Sequence, residues 1–163
     1  MIFTFIDSPL GPLLAVRDEL GLGGLHLPTG KHPVSPRPEW ERDNGAFGDV
    51  RVQLGEYFAG TREAFELPLH AIGTSFQKRV WAALLEIPYG QTTSYGRTAA
   101  ALGLPEAARA VGLANGQNPI SIIVPCHRVV GANGSLTGYG GGLDAKRWLL
   151  AHEATYSGAT LPL

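Results

Sequence analysis

One cysteine and its neighbours carry the most reactive chemistry in this sequence. Residues 124–128 read Val-Pro-Cys-His-Arg, and Cys126 is the single cysteine among 163 residues. The thiolate is the nucleophilic form of cysteine, and the imidazole of His127 is a base placed directly beside it. A lone cysteine is more often a small buried apolar residue. The pair therefore predicts a nucleophilic site only if other parts of the chain supply the groups that such a site needs.

Composition limits the classes of protein to which this chain can belong. A chain of 163 residues with 44% hydrophobic and 17% charged residues is typical of one globular domain or two small ones. No apolar run approaches membrane-spanning length, and residues 1–6 lack the basic region of a signal peptide. One cysteine excludes internal disulfides and multi-cysteine zinc sites. It also fits a reducing compartment, so we expect a cytoplasmic protein.

Charge is distributed unevenly along the chain. Residues 1–72 carry six Lys/Arg and ten Asp/Glu, a balance of −4, whereas residues 73–163 carry seven and four, a balance of +3. Only the second half has the sign expected of a surface that faces phosphates. We predict an N-terminal domain over residues 1–72 and a C-terminal domain over residues 73–163.

The N-terminal half reads as a small sheet followed by a helix. Short β-prone runs at 2–7, 12–17 and 22–27 are separated by turn residues, which predicts an antiparallel meander. Residues 28–45 contain four prolines and predict a loop. Apolar residues at helical spacing from Phe47 to Phe58 then predict a helix, with Gly60 as its stop.

The second half reads as a series of short helices. Thr74 opens a capping box before the first helix. Helices over 94–102 and from Pro105 to about 116 predict either a helix-turn-helix or a plain helical hairpin, which is the commoner motif. Residues 120–124 predict a strand, and an Ala-Asn-Gly turn at 132–134 predicts a hairpin wing. A last helix is expected over 144–153, with His152 at the surface.

Several separate motifs occur in order around the cysteine. In the second half they are Ser94-Tyr95, Ala108 to Gly112, Asn115 to Pro119, Ile123 to Val129, Thr137-Gly138-Tyr139 and Trp148 to Glu153, and in the first half Leu54 to Gly60 and Phe65 to Leu69. Together they resemble the motifs of the O6-alkylguanine-DNA alkyltransferases, and the segment from Ile123 to Val129 resembles the active-site signature of that family. The resemblance extends without an obvious gap from about Gly73 to Glu153, and it is weaker before Gly73.

The resemblance implies both a fold and a reaction. It implies an α/β protein with an N-terminal ribonuclease H-like sheet-and-helix domain and a C-terminal winged helix-turn-helix-like domain. The implied reaction is the irreversible transfer of an alkyl group from O6 of guanine, and less efficiently O4 of thymine, in DNA to Cys126. It implies no cofactor and no metal. Each molecule would act once, as a monomer, on double-stranded DNA that contains O6-alkylguanine.

The resemblance also assigns catalytic roles. Cys126 would be the nucleophile, His127 the base that takes its proton directly or through a water, and Glu153 the group that orients His127. Tyr95 would help to rotate the nucleotide and protonate the leaving base, and Asn118 would order the active-site turn. Without the resemblance, Glu153 reads as a solvated helix-end carboxylate and Tyr95 as a residue that packs on the core.

DNA contacts are implied for the second helix of the helix-turn-helix. Arg109 would insert into the duplex in place of the flipped nucleotide, because a side chain cannot reach a methyl group inside the base stack. Small residues beside Arg109 would let the helix approach DNA closely, although they suit tight helix packing equally well. The residues expected to contact DNA are Arg109, Tyr95, Ala108, Ala110, Gly112 and Arg128.

The base pocket would be formed by Val129, Tyr139 and Gly140. Some relatives have a polar side chain where this chain has Gly140, so a wider pocket that admits larger alkyl groups is expected here. Three other functions remain open. They are a non-catalytic lesion-binding protein of the alkyltransferase-like type, in which the cysteine is replaced, a cysteine hydrolase, and a transcription factor.

Overall fold

The computed structural model describes residues 1–158, and its first half is a four-stranded sheet covered by one helix. The strand order is β3-β2-β1-β4, with β1 antiparallel to β2 and β2 antiparallel to β3. The predicted meander is therefore confirmed. The strands are β1 (Ile2–Ile6), β2 (Leu13–Arg17), β3 (Leu22–His26) and β4 (Glu41–Arg42), and the helix is α1 (Gly48–Phe58). β4 lies within the predicted loop 28–45 and pairs in parallel with β1.

The described part of the second half, residues 73–158, contains four α-helices and two very short strands. The predicted capping box is present, since Gln77 N donates to Thr74 Oγ1 at 3.1 Å and Thr74 N donates to Gln77 Oε1 at 2.8 Å. Ser94 caps the next helix, and Gly103, at φ +76°, follows its end. The elements are α2 (Ser75–Leu84), β5 (Thr93–Ser94), α3 (Tyr95–Ala101), α4 (Ala108–Gly116), β6 (Val129–Val130) and α5 (Leu143–Ser157).

Three predicted elements of the second half differ from the structure. Helix α4 begins at Ala108 rather than at Pro105, because Leu104 to Ala107 form a separate turn closed by a hydrogen bond between their ends. The expected hairpin wing is absent from the described residues, since β6 pairs in parallel with β5 and the chain turns tightly between Gly131 and Ser135. Helix α5 continues to Ser157, four residues beyond its predicted end.

The predicted strand over 120–124 was also wrong. Ile120 makes one isolated bridge with Leu25, and the chain then turns at Ile122, which has φ +71°. Ile120, Ile122 and Ile123 are nevertheless all buried. A short buried apolar run has the same composition whether it is extended or turned, so the pattern could not separate the two cases.

Strand β3 connects the sheet to the segment that leads to the cysteine. Leu25 N donates to Pro119 O at 2.9 Å, and Ser121 N donates to Leu25 O at 3.0 Å. One continuous hydrophobic cluster spans both halves of the chain. The domain boundary at 72/73 remains a prediction, and residues 159–163 of the predicted second domain lie outside the described residues. Within residues 1–158, no helix is long and apolar enough to cross a membrane.

Candidate active site

Cys126 opens a single 3-10 turn, Cys126–Arg128, that is fixed by backbone and side-chain hydrogen bonds. Cys126 N donates to Val124 O at 2.8 Å, and the side-chain amide of Asn118 donates to the same carbonyl oxygen at 2.8 Å. Asn118 Oδ1 also accepts from Ile120 N at 3.0 Å. Asn118 thus ties the two ends of the segment together and lies where a turn-ordering residue is expected.

The thiol of Cys126 is buried, with 4% of the residue exposed. This burial raises its pKa to about 11, although a hydrogen bond with Asn118 and the charge of Lys146 act in the opposite direction. A thiol with such a pKa keeps its proton at neutral pH. Nucleophilic attack by Cys126 therefore requires a base that takes the proton during the reaction.

His127 is fully buried beside the cysteine and contacts Glu153. Its Nε2 lies 2.7 Å from Glu153 Oε2, and its Nδ1 is buried without a hydrogen-bond partner among the described residues. Burial lowers the pKa of His127 even though Glu153 favours the protonated form. A neutral imidazole that donates from Nε2 to Glu153 leaves a lone pair on Nδ1, and that lone pair can accept a proton.

Glu153, on α5, is the most heavily bonded side chain of the site. Arg128 donates from Nε to Oε1 at 2.8 Å and from Nη2 to Oε2 at 3.0 Å. Gly90 N donates to Oε1 at 3.3 Å, and the Tyr57 hydroxyl donates to Oε2 at 2.7 Å. Burial alone would raise the pKa of Glu153, but His127 and Arg128 lower it well below its usual range. The carboxylate is therefore ionised, and it is not the solvated helix end that the sequence alone suggested.

The expectation that Arg128 contacts DNA was wrong for this structure. The residue is 6% exposed, and beyond its ion pair with Glu153 it donates from Nη1 to Ile87 O at 2.7 Å. A guanidinium fits a carboxylate with two parallel hydrogen bonds, which explains why this arginine turns inward. Arg128 thus holds Glu153 and presents no charge to phosphates.

His152 was also placed wrongly at the surface. It is buried, its Nε2 lies 2.8 Å from Tyr57 O, and its ring stacks on Trp148 with the centroids 4.9 Å apart. The spacing of four residues between Trp148 and His152 puts both on one face of α5, which is the signal that could have identified the contact.

Lys146 is a functional candidate that the sequence analysis missed. It is fully buried, and its Nζ donates to Val129 O at 2.7 Å and to Thr137 O at 2.8 Å. Burial lowers its pKa to about 8, and the charge of Cys126 acts in the opposite direction. Lys146, Leu149 and Glu153 follow helical spacing on α5, so a buried face was readable from the sequence.

Two of the predicted pocket residues, Tyr139 and Gly140, lie in the loop between β6 and α5, and Tyr95 contacts the same loop. Tyr95, half-buried, donates to Thr137 O at 3.3 Å and accepts from Thr137 Oγ1 at 3.1 Å. The hydroxyl of Tyr139 is buried and has no hydrogen-bond partner among residues 1–158 by distance and angle. Val129 is fully buried, whereas Gly140 is exposed. The loop is also held from the N-terminal half, because the Thr29 hydroxyl donates to Gly141 O.

Helix α4 presents Arg109 to solvent beside small residues. Arg109 and Ala110 are exposed, while Ala108 and Gly112 are half-buried. A Cβ added at Gly112 would lie 3.6 Å from Tyr95 Cδ1, so the helix packs closely against the tyrosine. The small residues therefore allow close packing on one side of α4, and on the other side they leave the helix backbone accessible to solvent. No cluster of three or more His, Cys, Asp or Glu that could hold a metal ion occurs in residues 1–158.

Comparison with known proteins gives matches to both halves of the chain. The sequence model described as "6-O-methylguanine DNA methyltransferase, DNA binding domain" matches residues 75–155, and the one described as "6-O-methylguanine DNA methyltransferase, ribonuclease-like domain" matches residues 1–71. These two descriptions agree with the fold class and with the family resemblance that the sequence motifs indicated.

Individual relatives match over nearly the full length. The methylated-DNA–protein-cysteine methyltransferase of Mycolicibacterium paratuberculosis is 54% identical over 99% of this chain and 97% of its own. That of Methanosarcina acetivorans is 49% identical over 95% of this chain and 99% of its own. A crystal structure of Mycobacterium tuberculosis OGT in complex with DNA superposes with a TM-score of 0.90 at 50% identity, covering 99% of this chain and 97% of that chain. This chain therefore belongs to the 6-O-methylguanine DNA methyltransferase family.

Proposed function

We propose that the protein repairs DNA by direct reversal, transferring a methyl or larger alkyl group from O6 of guanine to Cys126. Transfer from O4 of thymine would be less efficient. The observation that carries the proposal is a buried turn in which Cys126 and His127 are adjacent and His127 Nε2 lies 2.7 Å from Glu153 Oε2. The relatives of this chain are named as protein-cysteine methyltransferases. A lesion-binding protein without activity would have another residue in place of Cys126.

The reaction forms a carbon–sulfur bond and breaks the carbon–oxygen bond at O6. The thiol proton passes to His127 Nδ1, through a bridging water because the two side chains make no direct hydrogen bond in residues 1–158. Glu153 stabilises the imidazolium that forms. The departing base takes a proton from the hydroxyl of Tyr95, so guanine leaves uncharged. The Tyr95 phenolate then regains a proton from solvent, and the His127 imidazolium releases one to solvent, so the protons balance. The thioether on Cys126 is stable, and each molecule is used once.

Access to the base requires that the nucleotide leave the stack. Arg109 is exposed on α4, and the small neighbouring residues Ala108, Ala110 and Gly112 allow this helix to lie close to a duplex. Arg109 would fill the space of the flipped nucleotide. The relative from Mycobacterium tuberculosis was crystallised in complex with DNA, which supports DNA as the partner here.

The flipped base would enter a pocket beside the cysteine. Tyr139 would stack against it, Val129 would line the floor, and Gly140 would leave room where a side chain would otherwise stand. Lys146 holds the pocket loop and the strand together through Thr137 O and Val129 O. A single reactive thiol suits a reducing compartment such as the cytoplasm.

Intact-protein mass measurement tests the proposal. Incubation with duplex DNA containing O6-methylguanine should add one methyl group per molecule, and the modified peptide should contain Cys126. Unmodified duplex and the variant Cys126→Ala serve as controls and should show no mass change. Repeated turnover by one molecule, or methyl uptake by Cys126→Ala, would refute single-use transfer to this residue.

A further inference from the structure

Tyr57 contacts the catalytic carboxylate but has no part in the reaction described above. It lies on α1 in the N-terminal half and is fully buried. Its hydroxyl donates to Glu153 Oε2 at 2.7 Å, and the same oxygen lies 2.7 Å from His127 Nε2. Two donors from different halves of the chain therefore share one carboxylate oxygen.

A second contact fixes Tyr57 in this position. Its backbone carbonyl oxygen lies 2.8 Å from Nε2 of His152, the residue before Glu153 on α5. His152 is in turn stacked on Trp148. Because consecutive residues of α5 contact the backbone and the side chain of Tyr57, the hydroxyl cannot move away from Glu153 without disrupting the packing of α1 on α5.

The sharing of Oε2 has a consequence for His127. Arg128 Nη2 donates to Oε2 as well, at 3.0 Å, so three donors use one oxygen. Each further donor withdraws electron density from a carboxylate oxygen and weakens its hold on the others. The Tyr57 hydroxyl thus reduces the stabilisation that Glu153 gives to protonated His127.

We propose that Tyr57 is a positioning residue that sets, through Glu153, the pH range in which His127 can accept the proton of Cys126. The inference rests on the proposed function. It makes the N-terminal half part of the active site, since the donor comes from α1.

Several other charged or titratable groups surround His127. Glu153 and Lys146 face it from α5, and Arg128 follows it in the turn. The phenol of Tyr89 is near Glu153 and Arg128, with its ring 5.6 Å from the Arg128 guanidinium carbon. The two cations disfavour an imidazolium, and Glu153 favours it. Tyr57 is the neutral group that hydrogen-bonds to Glu153, so it can be changed without altering any of these charges.

The test is the pH dependence of single-turnover transfer from duplex O6-methylguanine to Cys126. His127 must be neutral to act as a base, so the rate falls on the acid side. In Tyr57→Phe, Glu153 should hold protonated His127 more strongly, and the acid limb should move to higher pH by about one unit. At a given pH on the acid limb, the rate of Tyr57→Phe, scaled to its own plateau, should then be about tenfold below that of the unaltered protein.

Tyr89→Phe is the matched control. Tyr89 packs edge-on against Tyr57 with centroids 6.2 Å apart, and its hydroxyl is buried without a hydrogen-bond partner in residues 1–158. The same loss of one oxygen in the same neighbourhood should leave the acid limb in place. An equal displacement in both variants would overturn the proposal, because it would reflect packing rather than the bond to Glu153.

A fluorinated tyrosine at position 57 provides a second variant that keeps the fold. A more acidic phenol is a stronger donor, so the limb should move to lower pH, opposite to Tyr57→Phe. An unmoved limb in both variants, with normal methylation of the unaltered protein, would refute the role of Tyr57. Absence of methylation in the unaltered protein would instead refute the proposed function.

Discussion

Replacing Glu153 by glutamine is expected to destabilise the protein strongly as well as to slow alkyl transfer. The carboxylate is 1% exposed and accepts hydrogen bonds from Arg128, Tyr57 and Gly90 while contacting His127. Glutamine keeps the shape but removes the charge opposite Arg128, which stays buried. One of its two terminal atoms is an amide nitrogen, and this nitrogen would face donors instead of accepting from them.

The expected loss follows from the burial of this ion pair. Removing one partner of a buried pair costs about 3–5 kcal/mol, against a total free energy of unfolding of about 5–15 kcal/mol for a typical protein. At about 2–4 °C per kcal/mol for a chain of this length, the thermal midpoint should fall by roughly 6–20 °C.

The loss should also depend on pH in a defined direction. The pKa of Glu153 is lowered in the folded protein, so the unfolded chain takes up its proton first as the pH falls. The stabilisation is complete above the unfolded pKa of about 4.3 and decreases below it by about 1.4 kcal/mol per pH unit. The difference in free energy of unfolding between the unaltered protein and Glu153→Gln should therefore become smaller below about pH 4.

Urea unfolding at pH 7 and at lower pH, followed by tryptophan fluorescence, measures both effects. Glu106→Gln is the matched control, because Glu106 is exposed in the same half of the chain. Single-turnover transfer should then be compared at a temperature where both proteins are folded. A loss of stability no larger than that of Glu106→Gln, or a normal transfer rate in folded Glu153→Gln, would refute the reasoning.

Three further predictions concern DNA, the pocket and the thiol. Arg109→Ala should slow repair of duplex DNA far more than reaction with free O6-alkylguanine, because only the duplex requires flipping; equal losses would assign Arg109 another role. Thr29→Val should change the ratio of rates for O6-benzylguanine and O6-methylguanine by releasing Gly141, whereas Thr61→Val, which removes a hydroxyl bonded to Glu56 O on α1, should not. If the two variants had similar ratios of benzyl to methyl transfer rates, the proposal that Thr29 supports the loop at Gly141 would be contradicted. Burial raises the pKa of Cys126 to about 11, so the rate at which iodoacetamide alkylates it without DNA should increase about tenfold per pH unit up to about pH 10. A rate that levels off near the ordinary cysteine pKa of about 8.5 would contradict the raised pKa.

Local signals in the sequence were sufficient for much of the fold. The meander of β1, β2 and β3 and the capping box at Thr74 depend on residues close together in the chain, and both are present in the structure. The family resemblance predicted that Glu153 belongs to the active site, whereas its place at the end of a helix alone predicted a solvated carboxylate.

The errors in the site, unlike those in the element boundaries and the strand over 120–124, concern contacts between distant residues. Arg128 looked like a DNA-binding residue because its carboxylate partner is 25 positions away, and His152 looked exposed because its partner, Tyr57, is 95 positions away. Lys146 was missed because a lysine on a helix is ordinarily solvated. Tyr57 was part of a recognised motif, but no local pattern indicates that its hydroxyl contacts Glu153. Such residues acquire their environment only when the two halves pack together.

The hydrogen bonds along β3 also bear on the solubility of the protein. β3 is at one end of the sheet, where unpaired backbone groups would invite another chain to add a strand. Leu22 exchanges hydrogen bonds with the connector at Pro68 and His70, and Leu25 exchanges them with Pro119 and Ser121. At the other end, β4 is only two residues long. The segment that leads to Cys126 therefore also covers an edge, and any change that loosens it should favour aggregation as well as impair repair.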